Sequence, residues 1–326
     1  MQLRKIRLWI FPLCLGLLVA WVRLTLITLT PDSRAYTLYN LWATLHGQPF
    51  RLGEFSAFMP MFYNRIMFPL IHQGLSRLFP ALSAEHWYVL LRIVSFQLAF
   101  LVFTLACVRA LKPSYRDYCL AATLLALSFI ISYQPMEIPS DALDIVALSL
   151  GTLAALSDRF FLALGVALLF ATNRESAAFI GIIWIILADH DTWPKSRRLF
   201  EGLLISALSY AASIALRYYI AGPSQIRNFV GFRMNLKLLI SALTQFDQTS
   251  WWLPLLLSLL VIMFISISYS NALARRFVAL AVIFAVPTWL FGLINEIRIS
   301  LPSLLMMAFA VAAKKEHPAR DAGSIH

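Results

Sequence analysis

The apolar run Leu8–Leu29, LWIFPLCLGLLVAWVRLTLITL, leads directly into Thr30–Pro69, TPDSRAYTLYNLWATLHGQPFRLGEFSAFMPMFYNRIMFP. The junction of these two stretches decides the fold. A hydrocarbon core about 30 Å thick takes roughly 20 apolar residues to cross as a helix, and the first stretch meets that length. The second gathers an acid, several arginines, aromatics and proline and glycine breaks, in a chain that is otherwise 60% hydrophobic. Asp32 stands where the apolar run stops. Tyr63-Asn64-Arg65 stands where the chain turns back toward apolar sequence.

The same pattern repeats along all 326 residues. Only 13% are charged, against about 25% in average soluble chains, and the mean hydropathy is +0.75. This composition excludes a soluble globular domain. Lipid cannot satisfy exposed backbone groups and the ten-residue alternation of a barrel is absent, so the expected fold is all-α. Ten spans fit, at about 8–29, 86–108, 118–133, 142–157, 160–172, 176–188, 200–219, 251–270, 277–294 and 299–313. Residues 1–313 then form a single transmembrane domain, and 314–326 an unstructured cytoplasmic tail. The segments at 160–172 and 176–188 are shorter than a straight crossing needs. That suits helices buried in protein or stopping in a cavity below the bilayer surface.

The net charge of +11 does not point to nucleic acid, because the basic residues fall in short clusters between apolar runs. With the N-terminus inside, the inner segments hold 15 of the 27 basic residues and five of the six lysines. RALKPSYR, WPKSRR, LARR and the KKEHPAR tail all fall inside, as orientation signals do. Both termini are then cytoplasmic, in a plasma membrane. Leu18-Val19-Ala20 is a poor cleavage site and the apolar run continues past it, so the first span reads as uncleaved. Cys14, Cys107 and Cys119 lie within or beside spans, which implies neither a disulfide framework nor a thiolate metal site.

On this map the outer side carries long loops at 30–85 and 220–250 and three polar islands, Pro135–Asp141, Thr172–Ser176 and Asn295–Arg298. In the first loop, Ala35–His46 suits a helix lying on the membrane. Phe58–Phe79 suits a segment that dips into the bilayer or lies along it. Asp32 is either a functional acid at membrane depth or the cap of a following helix. Arg65, preceded by Tyr63 and Asn64, either snorkels to phospholipid or presents a guanidinium fork to a lipid-linked phosphate. Arg174 and Glu175 are adjacent, so they point apart on a helix and take different partners. The reading favoured for them is Arg174 on phosphate and Glu175 on a helix end or a substrate hydroxyl. Glu137, Asp141 and Asp144 either offer oxygens to a divalent cation or enrich a helix N-terminus in acids. Glu296 and Arg298 sit in a hinge with almost no loop, with Arg298 a second phosphate contact. Arg227, Arg233 and Lys237 suit ordinary exposed charges. No Walker motif, zinc-ligand spacing or Gly-x-Ser-x-Gly elbow occurs.

An acid at the end of the first span, a long amphipathic first outer loop and a Tyr-x-Arg motif before apolar sequence together resemble the GT-C superfamily of multi-spanning glycosyltransferases. Asn173-Arg174-Glu175 and Asn295–Pro302 resemble motifs of bacterial membrane proteins of that general type. Asp32 departs from the paired acids of many such loops, being followed by serine. The resemblance implies transfer of a sugar from a polyprenyl-phosphate-linked donor to a hydroxyl of a glycan, lipid or protein at the outer face of the bacterial inner membrane. Asp32 would be the general base, with Arg65, Arg174 and Arg298 on the phosphate and Tyr63, Asn64, Glu175, Asp141 and Glu296 lining the site. It implies membrane lipids as partners, no nucleic acid, and no resident metal apart from the divalent-cation option at the acidic cluster. A transporter or flippase for lipid-linked saccharides and a polymerase-like protein are the competing readings. A transporter predicts broken helices in repeated halves, and no internal repeat occurs.

Overall fold

The computed structural model describes residues 2–29, 67–132, 140–188, 194–221, 271–291 and 300–313. Every regular element among them is helical. The expected span at 251–270, the Ala35–His46 helix, most of the second outer loop and the tail lie outside the described residues.

Helix α1 is Gln2–Leu29, with Pro12 inside it. It is followed by α2, Met67–Leu78, and α3, Ala84–Ala106, which runs on into a π-helical turn, Cys107–Leu111. Next come α4, Tyr115–Ile131, α5, Ser140–Leu156, and α6, Phe160–Phe170. A single 3-10 turn, Glu175–Ala178, joins α6 to α7, Phe179–Leu187. The remaining helices are α8, Lys195–Ala221, α9, Ala272–Phe291, and α10, Leu301–Ala312. Two helical stretches, Val89–Leu111 and Lys195–Leu216, are long and apolar enough to cross a membrane among the described residues.

Side-chain contacts fix how the helices run. Thr104 meets the Tyr118 hydroxyl at 2.8 Å, while Phe96 and Phe100 pack on Phe129, so α3 and α4 are antiparallel. Helix α1 lies across α3, where Gln97 donates to the Leu13 carbonyl, and Phe11 packs edge-on against Tyr118. Asn271 donates to the Ala313 carbonyl at 2.7 Å, and Phe309 stacks between Phe277 and Phe103. The start of α9 and the end of α10 therefore share the end of the bundle where α3 stops. Basic residues of RALKPSYR, Arg159, KSRR and LARR all belong to elements that turn at this end.

Helices α6 and α7 form a short hairpin against α8. At 11 and 9 residues they extend only about 16 and 14 Å. The hairpin leans on α8 through small residues. A Cβ on Gly181 would sit 2.2 Å from the Gly202 carbonyl oxygen, so the two backbones touch only because both positions are glycine. Ser206 Oγ donates to the Ala178 carbonyl at 2.8 Å and Ser209 Oγ to the Ala167 carbonyl at 3.0 Å, which seat both arms of the hairpin on the middle of α8. Beyond Ser209, α8 continues to Ala221, about 18 Å of further helix. With Thr172 only five residues past Ala167, the tip stops short of the far end of α8.

Candidate functional site

The tip of this hairpin is polar although both its arms are apolar. At the end of α6 the Thr172 hydroxyl folds back on the Leu169 carbonyl, and the amides of Asn173 and Arg174 close the last turn on Phe170. Arg174 then leaves the helix in extended conformation, with φ −163° and ψ 152°. This break is what turns its side chain sideways. It reaches α5, where Nη1 donates to Asp141 Oδ1 at 2.8 Å and lies 3.8 Å from Asp144 Oδ2. The Ser176 hydroxyl donates to Asp144 Oδ1 in a short hydrogen bond. Asp141 and Asp144 are three residues apart at the start of α5 and share one face, as their spacing requires.

All of these groups are out of solvent. Asp141 and Asp144 are 2% exposed, Asn173 1% and Arg174 9%. Unpaired charges so deeply buried would cost several kcal/mol each, and the ion pair offsets part of that. Of the acidic island, Asp141 and Asp144 are thus ligands of a guanidinium. Among the described residues no group of three or more His, Cys, Asp or Glu side chains is placed to hold a metal ion.

Asp141, Asp144, Arg174 and Glu175 are the sequence candidates that fall within the described residues. Glu175 opens the 3-10 turn that follows Arg174. Arg174 takes carboxylates as partners, where the sequence suggested a phosphate, because α5 presents two acids across from the break. Asp32, Tyr63, Asn64, Arg65, Glu137, Glu296 and Arg298 lie outside the described residues. One contact bears on the stretch that contains Arg65. The amide of Met67, two residues later in sequence, donates to the Thr172 carbonyl at 3.2 Å. The first residue of α2, within the loop expected at 30–85, is therefore stitched to the hairpin tip that carries Arg174.

The second half of α9 belongs to the same region. Phe179, at the start of α7, stacks on Phe284 of α9 with ring centres 4.5 Å apart. Helix α9 thus climbs from the basic end of the bundle to the hairpin tip, and α10 returns antiparallel to it. Asn295–Arg298 falls between those two helices in sequence.

Two functional candidates escaped the sequence reading. Arg23 of α1 and Arg92 of α3 are both 1% exposed. Arg23 places its guanidinium carbon 5.9 Å from the centre of the Phe96 ring, within cation–π range. Each is the one Arg, Lys, Asp or Glu of its expected span in sequence, and that was the available signal, since an ionisable residue at membrane depth marks function by default. No protein-family model, curated protein or solved structure matches the chain.

Proposed function

We propose that the chain is a polytopic inner-membrane glycosyltransferase, with about ten spans, both termini cytoplasmic, and its site at the outer end of the bundle. The observation that carries this reading is the buried Asp141–Arg174–Asp144–Ser176 cluster at a hairpin tip, joined through Met67 to the loop expected at 30–85. A bundle that needed only packing would fill this position with apolar side chains, since replacing buried ion pairs by such residues is often neutral or stabilising.

The chemistry assigned to this end is sugar transfer from a polyprenyl-phosphate donor. The acceptor hydroxyl forms the new C–O bond at the anomeric carbon and gives up its proton to Asp32. The bond from that carbon to the phosphate oxygen breaks, and the phosphate leaves with the electron pair. A positioned carboxylate base typically contributes about 10²–10⁴-fold. Arginines aimed at the leaving phosphate stabilise the charge that develops there. Arg65 and Arg298 serve that purpose in this reading. Arg174, held by Asp141 and Asp144, belongs to a paired cluster at the hairpin tip that needs no reorganisation during the reaction.

The test uses purified protein in lipid nanodiscs with a polyprenyl-phosphate sugar. Asp32→Asn should abolish transfer while donor binding persists. Transfer by Asp32→Asn at the wild-type rate sinks the assignment of the base.

A further inference from the structure

We infer that α2 docks on the outer leaflet of the bilayer through an apolar stripe that overhangs the bundle, an inference that rests on the membrane placement proposed above. Helix α2 is tied to the rest of the molecule at both ends. Its first amide, that of Met67, donates to the Thr172 carbonyl at the hairpin tip. Just past its last turn, the Phe79 carbonyl accepts from the Trp87 indole at 3.3 Å, and the two rings pack with centres 5.8 Å apart. Thr172 and Trp87 both belong to the end of the bundle away from the basic turns, so α2 is strung across that end. Its 12 residues extend about 18 Å, too short to cross a hydrocarbon core of about 30 Å.

Met67, Ile71, Leu75 and Leu78 recur along α2 at the spacing of one helix face. A face that served packing alone would be covered by protein along its length. Met67 and Leu75 do pack on the core. Ile71, however, is 42% exposed and Leu78 73%, and a Cβ on Gly74, between them, would meet nothing within 4 Å. The stripe therefore has one edge on the bundle and one edge beyond it.

What adjoins the free edge identifies its cover. Leu90, one turn past Trp87, begins an exposed apolar stripe that continues through Val94 and Leu98 down α3. That stripe lies on Val89–Leu111, which is long and apolar enough to cross a membrane. Its side chains face acyl chains in the membrane reading, and the overhang of α2 extends the same apolar surface at the outer edge. The tie between the two helices is made by Trp87, a residue type that collects at membrane interfaces. Arg77, exposed in the last turn of α2, reaches the phosphate level while its stem follows the apolar surface. A short amphipathic helix of this kind buries its apolar face at the boundary of headgroups and acyl chains.

The experiment uses full-length protein with Cys14, Cys107 and Cys119 replaced by alanine, in nanodiscs of phosphatidylethanolamine and phosphatidylglycerol. A nitroxide is attached to single cysteines from Ile71→Cys and Leu78→Cys on the overhang, Val94→Cys on α3 and Ser196→Cys at the basic end. All four positions are exposed, so the substitutions should leave the melting temperature close to that of the unsubstituted chain. Oxygen concentrates among acyl chains and a hydrophilic nickel chelate stays in water, so the ratio of their collisions with the nitroxide reports depth. The Ile71 and Leu78 sites should favour oxygen several-fold more than the Ser196 site, at a depth of about 5–10 Å, and less than the Val94 site. An oxygen preference no greater than that of Ser196 puts the stripe in water and overturns the docking. Shielding from both reagents means cover by protein, either a second copy or another segment of the chain, and overturns it too. A Val94 site that favours nickel removes the membrane placement and the docking together, whereas Val94 in oxygen with Leu78 in nickel removes the docking alone. Interface depth at Leu78 in a protein that transfers no sugar keeps the docking and removes the glycosyltransferase reading.

Discussion

At the scale of single residues, Arg174 is the member of the cluster whose loss should matter most. It answers two carboxylates, Asp141 at 2.8 Å and Asp144 at 3.8 Å, both buried. Arg174→Gln leaves two like charges facing each other without a cation, which should cost about 3–5 kcal/mol of stability. Asp141→Asn removes one charge and leaves Arg174 balanced by Asp144, so it should cost less. The double variant Arg174→Gln/Asp141→Asn should be more stable than Arg174→Gln alone. Thermal unfolding in detergent of the two single variants and the double variant measures this coupling, and strict additivity would show that the pair is not energetically linked. The sequence named Asp141 and Arg174 and the spacing that puts Asp141 beside Asp144, because i,i+3 geometry is local. Their mutual pairing was not legible, since the two islands are separated by α5 and α6 and meet only through the tertiary packing of α5 on the hairpin. Arg23 and Arg92 were passed over for a related reason. Each sits singly in an apolar run, and no local pattern shows that tertiary packing buries it.

At the scale of elements, the helices follow the apolar runs closely, and six of them begin earlier. The expected 86–108 and 118–133 start at Ala84 and Tyr115, where Ser83 and Ser114 accept from the amides of His86 and Asp117 as N-caps. The expected 200–219 becomes Lys195–Ala221, extended into KSRR by the Arg197–Glu201 pair. Hydropathy marks what touches lipid, whereas helix ends are set by polar capping groups, so boundaries drawn from apolar runs come out short. The short segments at 160–172 and 176–188 were read as helices buried in protein or stopping in a cavity below the surface, and they form the short hairpin of α6 and α7. Its seat on α8 depends on Gly181 and Gly202. Gly181→Val should force the arms apart, because its Cβ would meet the Gly202 carbonyl and the Ser206 side chain, each at 2.2 Å. The expected loss is about 1–3 kcal/mol from overpacking, and displacement of the tip should cost activity as well. Gly165 on α6 has nothing within 4 Å of its own Cβ position. Gly165→Ala should therefore be neutral, or more stable by up to about 1 kcal/mol from helix propensity. Parallel melting curves decide it, and an equally destabilised Gly165→Ala would mean that the hairpin tolerates no added side chain and that the Gly181 contact is nothing special.

At the scale of the whole molecule, the bundle has two chemically different ends. One carries the turns rich in arginine and lysine, between α3 and α4, between α5 and α6, and at the starts of α8 and α9. There Glu201 binds both Arg197 and the Trp184 indole, and Arg198 reaches the Ala188 carbonyl. The other end holds the buried Asp141–Arg174–Asp144 cluster and the starts of α2 and α5. In a membrane, clustered basic turns stay on the cytoplasmic side because moving them across is unfavourable. The cluster end would then face outward, where a donor displayed on the outer leaflet can reach it. This orientation is open to direct measurement. In a chain with Cys14, Cys107 and Cys119 replaced by alanine, single cysteines are introduced at Ala81 and Ser196, both exposed positions at opposite ends. A membrane-impermeant maleimide added to spheroplasts should label Ala81→Cys at once and Ser196→Cys only after the membrane is opened. Labelling of both from the outside would place the basic turns in the wrong compartment. The two-ended reading of the bundle would fail with it, and so would the assignment of the Arg174 cluster to the donor's side of the membrane.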